Sequence, residues 1–326
     1  MDNSIIGNYR RIRWKKISIP SKVLQLYLNS TGYKELIISF GSIEAGGTKF
    51  VCALGDEDGQ IVKRVTFPTT TPDETMKQVF EFFDSYHLKA IGIGSFGPID
   101  VNPSSQTYGY IKNTPKRSWA HYNFVGAMKS RYEIPIGWST DVNIAALSEA
   151  MNGAGAGLKS VLYLTVGTGI GGGAVVDGRI LEGFSHPEMG HIKVESHPRD
   201  GFQGLCPFHH NCLEGMAAGP TIEARLKQKG NEIDPNHEVW SFLAHYLAQA
   251  LYAYTVVLSS DIIILGGGVM KSGQLLSKVK KELVERIADY VEIPPIDKYV
   301  GLPALGDDTG ITGGLLLAIQ EYEKVG

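Results

Sequence analysis

Three soft or borderline metal ligands crowd into Cys206-Pro-Phe-His209-His210-Asn-Cys212, a C-x-x-H-x-x-C spacing. His191 can supply a fourth, and a closed His₂Cys₂ tetrahedron is a structural zinc arrangement. Five of the nine histidines (His186, His191, His197, His209, His210) fall between residues 186 and 212, a concentration that packing does not explain. Spacing favours His209 over the adjacent His210 as the ligand and leaves out His186 and His197. The plain alternative is a set of surface histidines beside two unbonded thiols.

A second chemistry is written in glycine. Gly46-Gly47-Thr48, the run from Gly167 to Gly173, and Gly266-Gly267-Gly268 each enter or leave an apolar, strand-like stretch. Glycine permits positive φ and lets a ligand approach main-chain N–H groups closely. With hydroxyls from Thr48, Thr165 and Thr168 beside the amides, the turns read as a grip on nucleotide phosphates. Hairpins alone also need glycine. Gly167-Thr-Gly169-Ile-Gly171-Gly172 satisfies G-x-G-x-x-G, but its continuation Ala174-Val-Val-Asp-Gly178 is a short strand and a turn. A dinucleotide fingerprint must open a helix instead, and no Walker A loop occurs. Asp141, in Ser139-Thr-Asp-Val-Asn143, precedes a helical run and by itself reads as an N-cap.

The elements that must hold these residues alternate. Residues 43–45 and 49–54 read as strands around the first glycine turn, Asp58-Gly59 as a tight turn into 61–67, 74–83 as a helix and 90–95 as a buried strand. Helices at about 121–131 and 142–152 flank a strand at 136–138. The small-residue stretch 153–157 reads as a weakly structured hinge or domain boundary. Beyond it the opening pattern recurs: strand 161–166, turn 167–173, strand 174–176, the Asp177-Gly178 turn and a strand from 179 to 181. A polar loop (183–212), long helices near 214–228 and 237–258, a strand at 262–265 and two more helices follow. The pattern predicts an α/β fold with two similar lobes and a cleft between them.

The 326 residues suffice for two domains, and 43% hydrophobic with 20% charged residues is the profile of a soluble globular protein. A net charge of −3 implies no broad basic field for nucleic acid or an anionic membrane. No apolar stretch reaches the ~18 residues of a membrane span, and the N-terminus has no signal-peptide core. Cys52, Cys206 and Cys212 form no secreted disulfide framework, so a reducing cytoplasm is expected. Residues 1–41 are basic (Arg10, Arg11, Arg13, Lys15, Lys16, Lys22, Lys34) and read as a poorly ordered extension rather than a targeting presequence.

Glu44-Ala-Gly-Gly-Thr-Lys49, Thr165-Val-Gly-Thr-Gly-Ile-Gly-Gly-Gly173 and Leu265-Gly-Gly-Gly-Val269 resemble, in family order, the phosphate-1, phosphate-2 and adenosine motifs of the ROK sugar kinases. That family belongs to the hexokinase–actin–Hsp70 ATPase superfamily, and the resemblance covers about residues 42–322. It implies two ribonuclease-H-like lobes: 42–153 for sugar and phosphate, and 154–326 for ATP and the zinc loop, with the last helix packing back on the first lobe. It implies ATP with Mg²⁺, held by Glu44, Gly46, Gly47, Thr48, Lys49, Thr165, Gly167, Thr168, Gly169, Gly171, Gly266, Gly267 and Gly268. Glu44 stands where many relatives have Asp; the longer carboxylate can still reach Mg²⁺, directly or through water.

Asp141 falls at the family's catalytic base, and a helix N-terminus is expected to keep it ionised. His186-Pro-Glu-Met-Gly-His191 and Cys212-Leu-Glu-Gly215 resemble the family's zinc-loop flanks, which makes His191, Cys206, His209 and Cys212 the implied ligands of a structural Zn²⁺. His210 stands where glycine is expected. Many glucokinase-like members use C-x-C-G-x-x-G-C, so the histidine version departs from them and is shared with the fructokinase branch. Glu188 and Glu214 look like the sugar-hydroxyl binders, with Asn143, Gly97 and Pro98 also on the sugar side. Ser95-Phe-Gly-Pro-Ile-Asp100 and the segment from Tyr108 to Trp119 are similar to the fructokinase branch, where the Lys116–Trp119 region borders the sugar pocket. The implied function is ATP-dependent phosphorylation of D-fructose at O6 by a homodimer. A mannokinase, glucokinase or N-acetylhexosamine kinase shares the scaffold. A sugar-responsive repressor would need a DNA-binding module for which residues 1–41 show no paired helices.

Overall fold

Glycine punctuation between short apolar runs produces two meanders of the same design. The computed structural model describes residues 40–272 and 274–325; the basic segment lies outside these as far as residue 39, and the first strand starts at Phe40 rather than beyond residue 41. β1 (Phe40–Ala45), β2 (Lys49–Gly55) and β3 (Ile61–Pro68) pair antiparallel in sequence. Helix α1 (Pro72–Phe83) returns the chain, so that β4 (Ala90–Ser95) lies parallel beside β1. Its start is capped by Thr71, its Pro72 needs no N–H donor there, and Met76, Val79 and Phe83 line its buried face. After α2 (Phe124–Lys129), β5 (Ile136–Thr140) adds parallel to β4. The order is β3-β2-β1-β4-β5.

The second sheet repeats it. β6 (Ser160–Val166), β7 (Ile170–Val176) and β8 (Arg179–Ile180) form the meander, with β9 (Ile262–Gly266) and β10 (Val300–Gly301) parallel on the other side of β6. The order β8-β7-β6-β9-β10 is that of the first sheet, strand for strand. The helices α4 (Leu213–Ala217), α5 (Gly219–Leu226), α6 (Val239–Leu258), α7 (Leu275–Ile287) and α8 (Ile296–Tyr299) lie between and after its strands. The single helix expected near 214–228 is two, because Pro220 at the start of α5 cannot donate back into a continuing α4. Among the described residues no helix is long and apolar enough to cross a membrane.

Two helices are exchanged between the sheets. α3 (Asp141–Asn152) follows β5 directly, and its Ile144 and Leu147 cluster with Val161, Tyr163, Val175 and Ile264 of the second sheet. α9 (Thr309–Glu323), from the far end of the chain, instead places Leu315 and Ala318 against Phe40 and Ala90 of the first. The contact is backbone-close: a Cβ on Gly313 would stand 1.8 Å from the Ile144 carbonyl oxygen, and one on Gly314 2.0 Å from Ser42 Oγ. Ser42 Oγ also donates to the Ile311 carbonyl at 2.7 Å.

Where the chain passes between the sheets, one carboxylate holds it. Glu149 is fully buried and accepts from the N–H groups of Ala154 (2.8 Å), Ala304 (3.0 Å) and Leu305 (3.1 Å) and from Thr309 Oγ1 (3.1 Å). Four donors satisfy a buried anion that would otherwise be costly. The stretch 153–157 is therefore held by hydrogen bonds rather than weakly structured. Gly153 and Gly155 both donate to the Glu149 carbonyl, and a Cβ on Gly153 would meet the Glu149 carboxylate at 2.1 Å.

Candidate active site

Asp141 sits where β5 turns into α3 without an intervening loop. Capping at that junction is done by Thr140, whose Oγ1 accepts from the Asn143 N–H at 3.1 Å. The N-cap role that the sequence offers Asp141 is thus filled by its neighbour, and Asp141 needs another explanation. Its carboxylate accepts from the Val142 N–H at 2.9 Å. Asp141 keeps part of its surface open to solvent, yet the packing around it desolvates the carboxylate, and the nearby Glu44 and Glu188 repel a further negative charge. These effects outweigh the helix amides and raise its pKa to about 7. The expectation that the helix N-terminus holds it fully ionised is corrected accordingly. Glu44, on β1, is itself raised by burial, an effect the charge of Lys49 partly offsets.

The first glycine turn joins β1 to β2. Gly46 donates to the Lys49 carbonyl at 3.0 Å, and no Cβ fits on it, since one would lie 2.7 Å from that oxygen. Thr48 and Lys49 are exposed beside it. The second turn is shorter than the sequence suggests: only residues 167–169 turn, closed by Gly167 N–H to the Gly169 carbonyl at 2.9 Å. Gly171, Gly172 and Gly173 are already within β7, where Val142, Met189 and Asn143 leave no room for side chains. Positive φ, the property that first draws attention to all three clusters, occurs in them only at Gly267 (φ +91°). Gly46, Gly169, Gly171, Gly172, Gly173 and Gly266 instead leave room for closely packed neighbours.

Gly266 lies opposite Thr165 across β9 and β6, which brings the third cluster beside the second turn. Gly167, Thr168, Gly268 and Val269 then line a cavity of about 720 Å³ with Pro220 and Trp240, a volume suited to a nucleotide-sized ligand. A Cβ on Gly167 or Gly268 would meet nothing within 4 Å. Protein packing does not require glycine there, whereas an approaching ligand would.

His191, Cys206, His209 and Cys212 place their ligand atoms within 4.8 Å of one another. Cys206 Sγ lies 3.8 Å from His191 Nδ1 and 3.7 Å from His209 Nδ1, and Cys212 Sγ 3.5 Å from His191 Nδ1. A tetrahedral zinc with ordinary Zn–S and Zn–N bonds requires S···N edges of about 3.5 Å, so the donor set fits. His210 turns outward in the left-handed region (φ +53°), the conformation that explains the glycine expected there. Beyond the four lies Glu214. Its Oε2 accepts from the Ile170 N–H at 2.9 Å, and its Oε1 stands 4.0 Å from His191 Nε2. One carboxylate therefore holds the start of β7 and lies near a candidate metal ligand.

On the sugar side of the expectation, Glu188 Oε1 lies 3.8 Å from the position of a Cβ on Gly97. Gly97 and Pro98 precede a loop knotted by Asp100. Burial opposes ionisation of Asp100, but the hydroxyls of Thr107 and Ser105 outweigh it and hold the pKa near 2. Asn143 is fully buried, with Nδ2 donating to Ser139 Oγ at 3.0 Å and Oδ1 unpartnered. Trp119 is fully buried among Phe50, Phe96, Tyr122 and Phe124.

Sequence reasoning sets His186 aside, yet its Nε2 accepts from the Ile99 N–H at 3.2 Å. The ring proton is then on Nδ1, which faces Glu188 Oε1 at 3.6 Å. Ile99 sits 87 residues away, so the spacing around His186 does not announce that contact. Glu149 was equally silent.

The ROK family matches residues 40–321. A putative fructokinase of Bacillus subtilis is 50% identical, covering 87% of this chain and 96% of its own length. A fructokinase of Pediococcus pentosaceus is 46% identical, covering 85% and 96%. Among solved structures, a ROK hexokinase from Thermus thermophilus superimposes with a TM-score of 0.74 at 26% identity, covering 87% of this chain and 99% of that one.

Proposed function

The chain belongs to the ROK family, and from that footing we propose that it is an ATP-dependent fructokinase, transferring the γ-phosphoryl group of ATP to O6 of D-fructose to give fructose 6-phosphate and ADP. Its fold is that of the actin-like ATPases, with two ribonuclease-H-like lobes. The observation that carries the reading is Asp141, relieved of capping by Thr140 and set among Glu44 and Glu188.

In this reading Asp141 accepts the hydrogen bond of the sugar O6 hydroxyl, aims its lone pair at the γ-phosphorus and takes the proton late. The transition state is loose, so a carboxylate suffices as base. Glu188 and Asn143 orient hydroxyls beside Gly97 and Pro98, and His186 fixes the Glu188 carboxylate. Gly46, Gly47, Thr48, Lys49, Thr165, Gly167, Thr168, Gly169 and Gly171 offer amides, hydroxyls and one ammonium to the phosphates, with Gly266, Gly267 and Gly268 against the nucleoside. Mg²⁺ carried with ATP would be held near Glu44 and supplies charge neutralisation there. His191, Cys206, His209 and Cys212 would hold zinc, which supplies a fixed loop rather than chemistry. Glu214, in the helix that the loop's Cys212 caps, orients the Ile170 amide as well as a sugar hydroxyl.

A cytoplasmic location accords with three free thiols, and the homodimer belongs to the same reading, open to sedimentation. ADP release measured across fructose, mannose, glucose and N-acetylmannosamine tests the substrate. Highest kcat/KM on fructose is expected; preference for another hexose would move the chain to a sister activity on the same scaffold.

A further inference from the structure

The first glycine turn has a neighbour outside the three glycine motifs. A Cβ on Gly47 would find one atom within contact range, Lys116 Cε at 3.8 Å. The lysine side chain thus lies over the turn, with its ammonium one bond further on. Its placement is built. Trp119, three residues on, is fully buried and donates from Nε1 to the Thr70 carbonyl at 2.8 Å. The adjoining Thr69 holds the turn itself, through its N–H to the Thr48 carbonyl (2.9 Å) and its Oγ1 to the Gly46 carbonyl (2.7 Å). Residues 69 and 70 therefore tie the glycine turn and the Lys116 segment to the same strand end. At its base the segment is fixed by Ile111 N–H to the Tyr122 carbonyl at 2.9 Å.

The charge of Lys116 is not spent elsewhere. Lys112, four residues earlier, pairs with Asp100 at 3.4 Å, whereas no carboxylate of the described residues lies within ion-pair distance of the Lys116 ammonium. Glu44 precedes the same turn and lies within electrostatic reach of Asp141, which also feels Glu188, while Lys49 partly offsets Glu44. A polyphosphate entering this corner meets a local excess of negative charge, which a second fixed cation relieves.

We propose that Lys116 is a catalytic residue whose ammonium contacts the transferring γ-phosphoryl group. The assignment rests on the kinase reading above. As O6 attacks, the O6–P bond forms, the bond from phosphorus to the β,γ-bridging oxygen breaks, and its electron pair leaves with ADP. The O6 proton passes to Asp141, and Lys116 keeps its own proton throughout. Its contribution is greatest as charge spreads over the equatorial phosphoryl oxygens and onto the leaving oxygen. This moves Lys116 from the border of the sugar pocket, where the resemblance puts it, to the phosphate.

The test is Lys116→Met, isosteric and neutral, beside Lys116→Arg. K116M is expected to lower kcat by ~10²–10³-fold, while KM for fructose and Kd for ADP stay within about threefold, the scale and pattern of losing one preorganised transition-state contact. It should also lose tight binding of ADP, fructose and aluminium fluoride together, a mimic of the phosphoryl in flight, while K116R recovers part of both losses. Wild-type kcat in K116M, or an undiminished mimic complex, overturns the assignment. A raised fructose KM at unchanged kcat does so too, returning Lys116 to the sugar pocket. If circular dichroism shows K116M misfolded, K116Q is read by the same measurements. Wild-type protein without turnover on any hexose removes the kinase reading itself, whereas wild-type turnover preserved in K116M removes Lys116 alone.

Discussion

The two glycine turns occupy equivalent places in sheets of identical strand order, each at the tip of an antiparallel hairpin whose first strand is also paired in parallel. Their surroundings differ. The 46–48 turn meets carboxylates and a lysine: Glu44 precedes it, Asp141 lies across from it and Lys116 covers it. The 167–169 turn meets open volume, the cavity of about 720 Å³, and its flank is tied to the Cys/His loop through Glu214 and Ile170. A duplicated scaffold thus carries a cluster of charged side chains at one turn and an open cavity at the other. Lobe repetition by itself says nothing of that difference; the residues brought in from outside each hairpin make it.

The sharpest way to break the comparison is Asp141→Asn. It keeps the shape and removes the base, so kcat should fall by at least ~10² while ADP affinity by calorimetry holds. Lost nucleotide binding would show that the two ends are not separable. Next in size is the Cys/His loop. Chelation followed by Mg²⁺ restoration, or Cys212→Ser, should cost about 10–100-fold in kcat/KM, the range for a disturbed ligand shell, together with one bound zinc by atomic absorption. Because Glu214 ties the loop to Ile170, ADP affinity should weaken as well. A metal-free protein with full activity would refute it.

Gly268→Val fills open volume rather than a packed site, so it should raise KM for ATP about tenfold, roughly 1.4 kcal/mol, and leave KM for fructose alone. The smallest effect expected is with pH. Asp141 must be anionic to accept a proton, and its pKa near 7 means that kcat/KM falls on the acid side, by about threefold from pH 7.5 to 6.5 for a single such group. A flat profile over that interval would remove Asp141 as the titrating base.

Local features were readable. The strand–turn–strand repeat is announced by glycine and Asp-Gly punctuation, and three of the four Cys/His side chains by C-x-x-H-x-x-C spacing, because those constraints act over a few residues. What escaped the sequence acts across distance. The donors gathered by Glu149 lie as far as 160 residues away, and its own surroundings in α3 are those of any helical glutamate. Glycine misled in a different way: Gly171 to Gly173 were assigned to a turn because glycine is permissive, yet they are in β7 because neighbouring side chains occupy the space. Composition alone does not distinguish a glycine that bends from one that yields room.

The exchange of α3 and α9 also orders events in time. Residues 40–95 leave the ribosome with the makings of β1 to β4, but α9, which covers Phe40 and Ala90, is translated only after all the strands of the second sheet. Until it arrives, that face of the first sheet is bare apolar surface, open to chaperones and to misassembly with other nascent chains. Synthesis is therefore expected to include a late docking step, in which a glycine-faced helix closes a sheet made long before it.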